Sequence, residues 1–199
     1  MRILGAGDIH GDISVSRKLS EQAKRENVDL VILCGDLAED DSLDNVLSPF
    51  KENKQKVLLI SGNHESIATA EFLAQINYAK HLHGYSVRYE DIGIFGCGSA
   101  NIGIHGITEH EIFETLKKGF DKINYLGRKI MVTHVHPAES KMEKFSNFVK
   151  GSVGVLKAIK EFKPDILFCS HVHEAEGLEE VVHSTRVINV GREGKIIDL

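Results

Sequence analysis

The sequence predicts a mixed α/β fold in which two layers of sheet are flanked by helices. Three observations lead there. In the N-terminal third, short apolar runs alternate with longer amphipathic stretches, and strand, helix, strand, helix, strand implies parallel pairing. The uninterrupted apolar run Leu30–Cys34 suits a strand covered on both faces, as parallel strands between helix layers are. Beyond about residue 85 the pattern changes, and short strand-like segments separated by turn-length stretches accumulate.

Taken in order, strands are expected at residues 2–7, 30–34 and 57–60, with helices over about 14–27 and 42–53. Residues 85–89 and 93–96 are separated only by Glu90-Asp91-Ile92 and read as a hairpin or as sequential strands. Thr108-Glu109-His110-Glu111 has the spacing of a capping box, after which Ile112, Phe113, Leu116, Phe120 and Ile123 fall on one helical face. A strand follows at 130–133, then a loop of low periodicity over 135–150. Within it Lys141 to Phe145 is a candidate lid, since long aperiodic loops are often functional. A helix over 152–162 turns Val155, Leu156, Ile159 and Phe162 inward. Segments at 166–169, 179–182, 187–190 and 195–198 complete the chain, and their spacing leans toward a strand meander. No repeat, low-complexity tract or linker interrupts residues 1–199, so one domain is expected.

Composition excludes several classes of function. With 24 Lys and Arg against 29 Asp and Glu, the net charge is −5, which argues against sequence-independent nucleic-acid binding. The apolar runs fall far short of the roughly 20 residues of a membrane helix. Asp8 arrives too early for a signal peptide, and a cytoplasmic location is expected. Cys34, Cys97 and Cys169 form no CxxC pair and read as reduced, buried thiols. Histidine is the oddity. Its 11 residues outnumber the 9 Phe in a chain with 4 Tyr and no Trp, so their positions need an explanation.

Those positions follow the strands. The first strand hands over to Gly7-Asp8-Ile9-His10-Gly11, the second to Gly35-Asp36, and the third to Gly62-Asn63-His64-Glu65. Later strands end in Thr133-His134-Val135-His136-Pro137 and Ser170-His171-Val172-His173. C-terminal strand ends are where ligands of open α/β sheets collect. Imidazole mixed with carboxylate oxygen suits a catalytic divalent transition metal, whereas a structural zinc site would cluster cysteines. Asp8, His10, Asp36, Asn63, His134, His171 and His173 are too many donors for one tetrahedral ion and enough for two.

The ordered set Asp-x-His, Gly-Asp, Gly-Asn-His-Glu, His and x-His-x-His, running from Asp8 to His173, resembles the calcineurin-like metallophosphoesterase superfamily. The resemblance implies a four-layer αββα double β-sandwich. It implies that Asp8, His10 and His173 hold one ion, that Asn63, His134 and His171 hold a second, and that Asp36 bridges them. Mn²⁺ is the expected ion, with Fe, Zn, Ni or Co as alternatives. Asn63 and His64 are the candidate catalytic residues, His64 acting beside the ions without binding them. Ser170 stands where the superfamily commonly has glycine. After Gly35-Asp36 the chain continues Leu37-Ala38-Glu39-Asp40, without the aromatic and Asp-Arg-Gly segment of the Ser/Thr protein phosphatases, and looks more like the bacterial and archaeal phosphodiesterase branch.

The implied function is hydrolysis of a phosphodiester or phosphomonoester of a small molecule. Two divalent ions about 3.5–4 Å apart would supply a bridging hydroxide and neutralise charge on the phosphoryl group, and His64 would protonate the leaving group. Competing readings are a non-catalytic metal-binding scaffold of the same fold and a nuclease; the chain has neither the length nor the basic balance of the latter. Asp12, Glu65 and His136 are either partners that fix ligand imidazoles or helix caps and loop residues. His81, His83 and His105 fall between elements, where they approach the substrate or face water. A homodimer through exposed edge strands is a further expectation.

Overall fold

The computed structural model describes residues 1–38, 45–145 and 149–199. Glu39, Asp40 and the first residues of the helix expected at 42–53 lie outside these, as does part of the 135–150 loop.

Two mixed sheets stack face to face. In the first, β1 (Arg2–Ala6), β2 (Leu30–Cys34), β3 (Val57–Ile60) and β4 (Lys80–His81) run parallel, and β11 (Lys195–Asp198) pairs antiparallel with β1, giving the order β11-β1-β2-β3-β4. The second is built from β5 (Ser86–Tyr89), β6 (Ile92–Cys97), β7 (Arg128–Thr133), β8 (Ile166–Cys169), β9 (Glu179–Val182) and β10 (Thr185–Asn189), in the order β5-β6-β7-β8-β10-β9. Its central strands are parallel, and β5 and β9 are antiparallel edges.

Three apolar clusters make the layers. Ile3, Ile32, Leu58 and Ile60 of the first sheet meet Ile94, Val132, Phe168 and Ile188 of the second. The outer face of the first sheet is covered by α1 (Ile13–Arg25), α2 (Ser48–Glu52) and α3 (Ile67–Ile76), through Leu19, Phe50 and Leu73 among others. The outer face of the second is covered by α4 (Glu109–Phe120) and α5 (Val153–Phe162), with Phe113, Leu116, Ile159 and Phe162 inward. The result is the four-layer αββα sandwich expected. β2 is buried at every position, as its unbroken apolar run requires.

Local signals act as anticipated at several ends. Thr108 and Glu111 close a reciprocal capping box at the start of α4, and β5 and β6 form the antiparallel hairpin. Three features differ from expectation. α3 and β4 fill the stretch between residues 60 and 85 that pattern alone leaves blank. The C-terminal strands are no simple meander: β9 and β10 form a hairpin, but β11 crosses to the other sheet, where Arg2 Nε meets Asp198 Oδ1 at 2.8 Å. The segment Lys141–Lys144 is a 3₁₀ turn whose Met142 is buried against Cys169, so it is anchored in the core beneath α4 and α5. Residues 146–148 of that loop lie outside the described residues.

Candidate metal centre

The C-terminal ends of β1, β2, β3, β7 and β8 open on one rim, and their loops are joined by backbone hydrogen bonds. Asp8 N–H donates to Gly35 O (3.0 Å), His10 N–H to Asp36 O (2.8 Å), Gly11 N–H to Leu37 O (2.9 Å), and Ser170 N–H to His134 O (2.9 Å). Asp8, His10, Asp36 and His171 have φ between 50° and 73°, the left-handed region that non-glycine residues seldom occupy. Four strained residues gathered on one rim cost of order 1–3 kcal/mol each and persist only where the surroundings over-determine them.

Three groups of side chains have donor atoms within 4.8 Å of one another: Asp8 with His10 and His173; His10 with Asp36 and His64; Asp36 with His134 and His171. Asp36 Oδ2 is central, 3.3 Å from His134 Nε2, 3.8 Å from His10 Nε2 and 4.0 Å from His64 Nε2. Asp8 Oδ1 lies 3.7 Å from His173 Nε2. Asn63 enters through Oδ1, 3.0 Å from His134 Nε2. All eight residues singled out from the sequence are therefore brought to one place.

The residues fit divalent cations. His134 Nδ1–H donates to Cys34 O at 2.8 Å, so in the neutral ring Nε2 carries a lone pair, and that lone pair faces Asn63 Oδ1 and Asp36 Oδ2. In the metal-free protein, where Asp36 and Asp8 hold the ring cationic, a proton on Nε2 meets these two oxygens; a divalent cation would take the place of that proton. Asp8 Oδ2 and His171 Nε2 are buried without a hydrogen-bond partner, which is costly for atoms of this kind unless something cationic meets them. Electrostatics point the same way. Burial opposes charge on His134, but Asp36 and Asp8 outweigh it and hold its pKa up, to about 9. Burial would likewise raise Asp36, yet His134 and the His64 N–H keep its carboxyl well below the usual range. Burial and then His134 push His171 down to about 3.

Of the supporting residues, Glu65 is buried and accepts N–H bonds from Gly62 (2.9 Å) and Leu37 (3.2 Å). It ties the β2 and β3 loops together and touches no ligand imidazole; burial and then Asp36 raise its pKa to about 7. Asp12 is the N-cap of α1, accepting from Ser14 N–H and Val15 N–H, and its other oxygen meets Arg192 at 2.9 Å. Arg192 follows β10 on the same rim and carries no sequence motif. His81 and His83 belong to none of the three donor groups; both are half-buried, their rings stack at 6.1 Å, and Gly98 N–H donates to His83 Nδ1.

His136 is fully buried, with neither ring nitrogen partnered, and burial pushes its pKa down to about 4. A histidine kept neutral by the fold contributes stability above its unfolded pKa of about 6.5 that is lost as pH falls toward 4. Chelated protein should therefore lose about 2 kcal/mol through His136 between pH 7.5 and pH 5. Urea unfolding of the wild type and of His136→Leu at both pH values measures this, and equal pH dependence of the two proteins would contradict it.

The profile of the calcineurin-like phosphoesterase family matches residues 1–175. No curated protein matches the chain significantly. Among solved structures, TT1561 of Thermus thermophilus superposes with a TM-score of 0.77 at 15% identity, covering 99% of this chain and 98% of that one. A dimetal phosphatase from Danio rerio has a TM-score of 0.66 at 13% identity, covering 96% and 87%. A novel archaeal phosphodiesterase has a TM-score of 0.52 at 20% identity, covering 96% and 84%. At these identities the structures share the fold. Among the described residues no helix is long and apolar enough to cross a membrane.

Proposed function

Because the chain belongs to the calcineurin-like phosphoesterase family, we propose that it hydrolyses phosphodiesters of small molecules with two divalent ions. One ion would be held by Asp8, His10 and His173, the other by Asn63, His134 and His171, with Asp36 serving both. When bound, the ions would activate water and neutralise charge developing on the phosphoryl oxygens. The observation that carries the reading is that the three donor groups share members: His10 and Asp36 each belong to two of them, as adjoining cation sites require.

The chain's own residues do the rest. The hydrogen bond from His134 to Cys34 O fixes the tautomer that leaves Nε2 free to ligate. Glu65 holds the Asp36 and Asn63 loops at a constant separation through two backbone amides. The His64 side chain is 44% exposed and lies beside Asp36, with its ring perpendicular to that of His10 at 4.7 Å. It stands on the open side of the centre, where a departing alkoxide would need a proton.

The test is release of 4-nitrophenol from bis(4-nitrophenyl) phosphate by purified protein with Mn²⁺. Equal rates after thorough chelation would sink the reading. His64→Ala should lower kcat by about 10²–10⁴ on an ester with an alkyl leaving group and by much less on a 4-nitrophenyl ester, which departs without a proton. Metal content should be retained. Full activity on the alkyl ester would remove His64 from the proton-donor role.

A further inference from the structure

We propose that the loop tip Ile102-Gly103-Ile104 is a specificity wall that receives the organic group of the ester, and that this group is an apolar ring system. The inference rests on the phosphoesterase reading above and names the substrate class of that site.

The loop reaches the centre through its glycine. Gly103 has φ +97°, and a Cβ built on it would stand 3.2 Å from Asn63 Cβ and 3.4 Å from Asn63 Nδ2, so the backbone of the tip lies on one proposed ligand. On either side of that contact Ile102 is 48% and Ile104 93% exposed. Two branched aliphatic side chains in water beside a polar centre need a reason, since the surrounding rim is built from His, Asp and Asn.

The tip is firmly held. Ile107 N–H donates to Ala100 O at 2.9 Å, closing the loop, and Gly106 N–H donates to Gly103 O at 3.1 Å. The Ser99 hydroxyl donates to His105 O. Asn101 Nδ2 donates to Glu109 Oε1 at 2.8 Å, and Glu109 Oε2 accepts the Ser152 hydroxyl and, at 2.7 Å, Gly154 N–H. The wall thus lies against Asn63 and is tied to the start of α5, where Val153 is also exposed. From Ser99 to Thr108 there is no Asp, Glu, Lys or Arg, and His105 is the one titratable side chain, so the tip Ile102-Gly103-Ile104 itself presents no charged group. What it offers is apolar area at a constant place relative to the phosphorus, and covering it with a ring removes that area from water.

Bis(4-nitrophenyl) phosphate and methyl 4-nitrophenyl phosphate share a leaving group and differ in the group that stays; the intrinsic reactivity difference between them is common to wild type and variant, so the change in the ratio of their kcat/KM values between the two proteins isolates recognition of that group. The wild-type protein with Mn²⁺ should favour the diaryl ester by about tenfold or more, the range that a few methylenes of apolar contact provide. Ile102→Asn/Ile104→Asn should reduce that ratio about tenfold, chiefly through KM, and an unchanged thermal midpoint would show that the variant is folded. A wild-type ratio near one, or a ratio the variant leaves unaltered, overturns the wall while the hydrolase reading stands. Failure of the wild type to cleave either ester with any divalent ion overturns the hydrolase reading and the wall with it.

Discussion

Asp36→Asn is expected to cut kcat/KM for phosphodiester hydrolysis by more than about 100-fold and to lower the bound divalent metal per chain. Loss of a mere outer hydrogen-bond partner of a metal ligand already costs about 10–100-fold, and Asp36 as a proposed ligand would stand nearer than that. Its carboxylate is almost wholly buried, and Oδ2 lies 3.3 Å from His134 Nε2 and 3.8 Å from His10 Nε2, residues proposed to hold different ions. Its Oδ1 accepts the His64 N–H at 3.0 Å, so the side chain is held with one oxygen committed and the other aimed inward. Asparagine keeps the shape and can keep that backbone bond, but it removes the negative charge that the cations require and that lifts His134. Elemental analysis of protein purified with Mn²⁺, beside the rate on bis(4-nitrophenyl) phosphate, separates the two effects. Wild-type metal content and rate in the variant would rule out a bridging role.

The site was legible in the sequence because its residues sit where punctuation is strongest. Gly7-Asp8 and Gly35-Asp36 follow an apolar run directly and Gly62-Asn63 follows one after Ser61, and a strand tends to end where glycine and short polar residues replace β-branched ones. Contacts across the chain were less legible. α3 was missed because Ile67, Ala70, Phe72, Leu73 and Ile76 spread apolar character around the helix and leave only a weak stripe. Its Ser66 cap, accepting from Thr69 N–H, was the available signal. The crossing of β11 depends on partners at opposite ends of the chain, Arg2 opposite Asp198, and local pattern names a strand without naming its neighbour. Burial of His136 and the pairing of Asp12 with Arg192 are tertiary in the same sense. The left-handed backbone at Asp8, His10, Asp36 and His171 is hidden for another reason: glycine would announce such a conformation, and here the chemistry requires side chains that glycine lacks.

Gly62→Ala should be nearly as damaging as loss of the Asp36 carboxylate, although it removes no functional group. A Cβ at residue 62 would fall inside van der Waals contact of Asp36 Oδ1 and the Asp36 amide nitrogen, and 2.6 Å from Asp36 Cγ. The facing position is as tight: Gly35, at φ +89°, would place a Cβ 2.6 Å from Gly62 N. The β2 and β3 loops thus touch backbone to backbone, and Asp36 can enter the centre only because both glycines lack side chains. Rotating the Asp36 carboxylate out would clear its oxygen but not the amide nitrogen, so relief in the alanine variant must come from separating the loops. Separation strains the two N–H bonds to Glu65 Oε1, from Gly62 and from Leu37, that hold them together. Overpacking of this kind costs about 1–3 kcal/mol, so the urea midpoint should fall while hydrolysis drops by about 100-fold and is not restored by excess Mn²⁺. Gly127→Ala provides the comparison, because a Cβ there meets nothing within 4 Å and neither stability nor rate should move beyond the small effect of a surface change. A Gly62→Ala protein with wild-type midpoint and rate would mean that Asp36 is not held where this packing puts it.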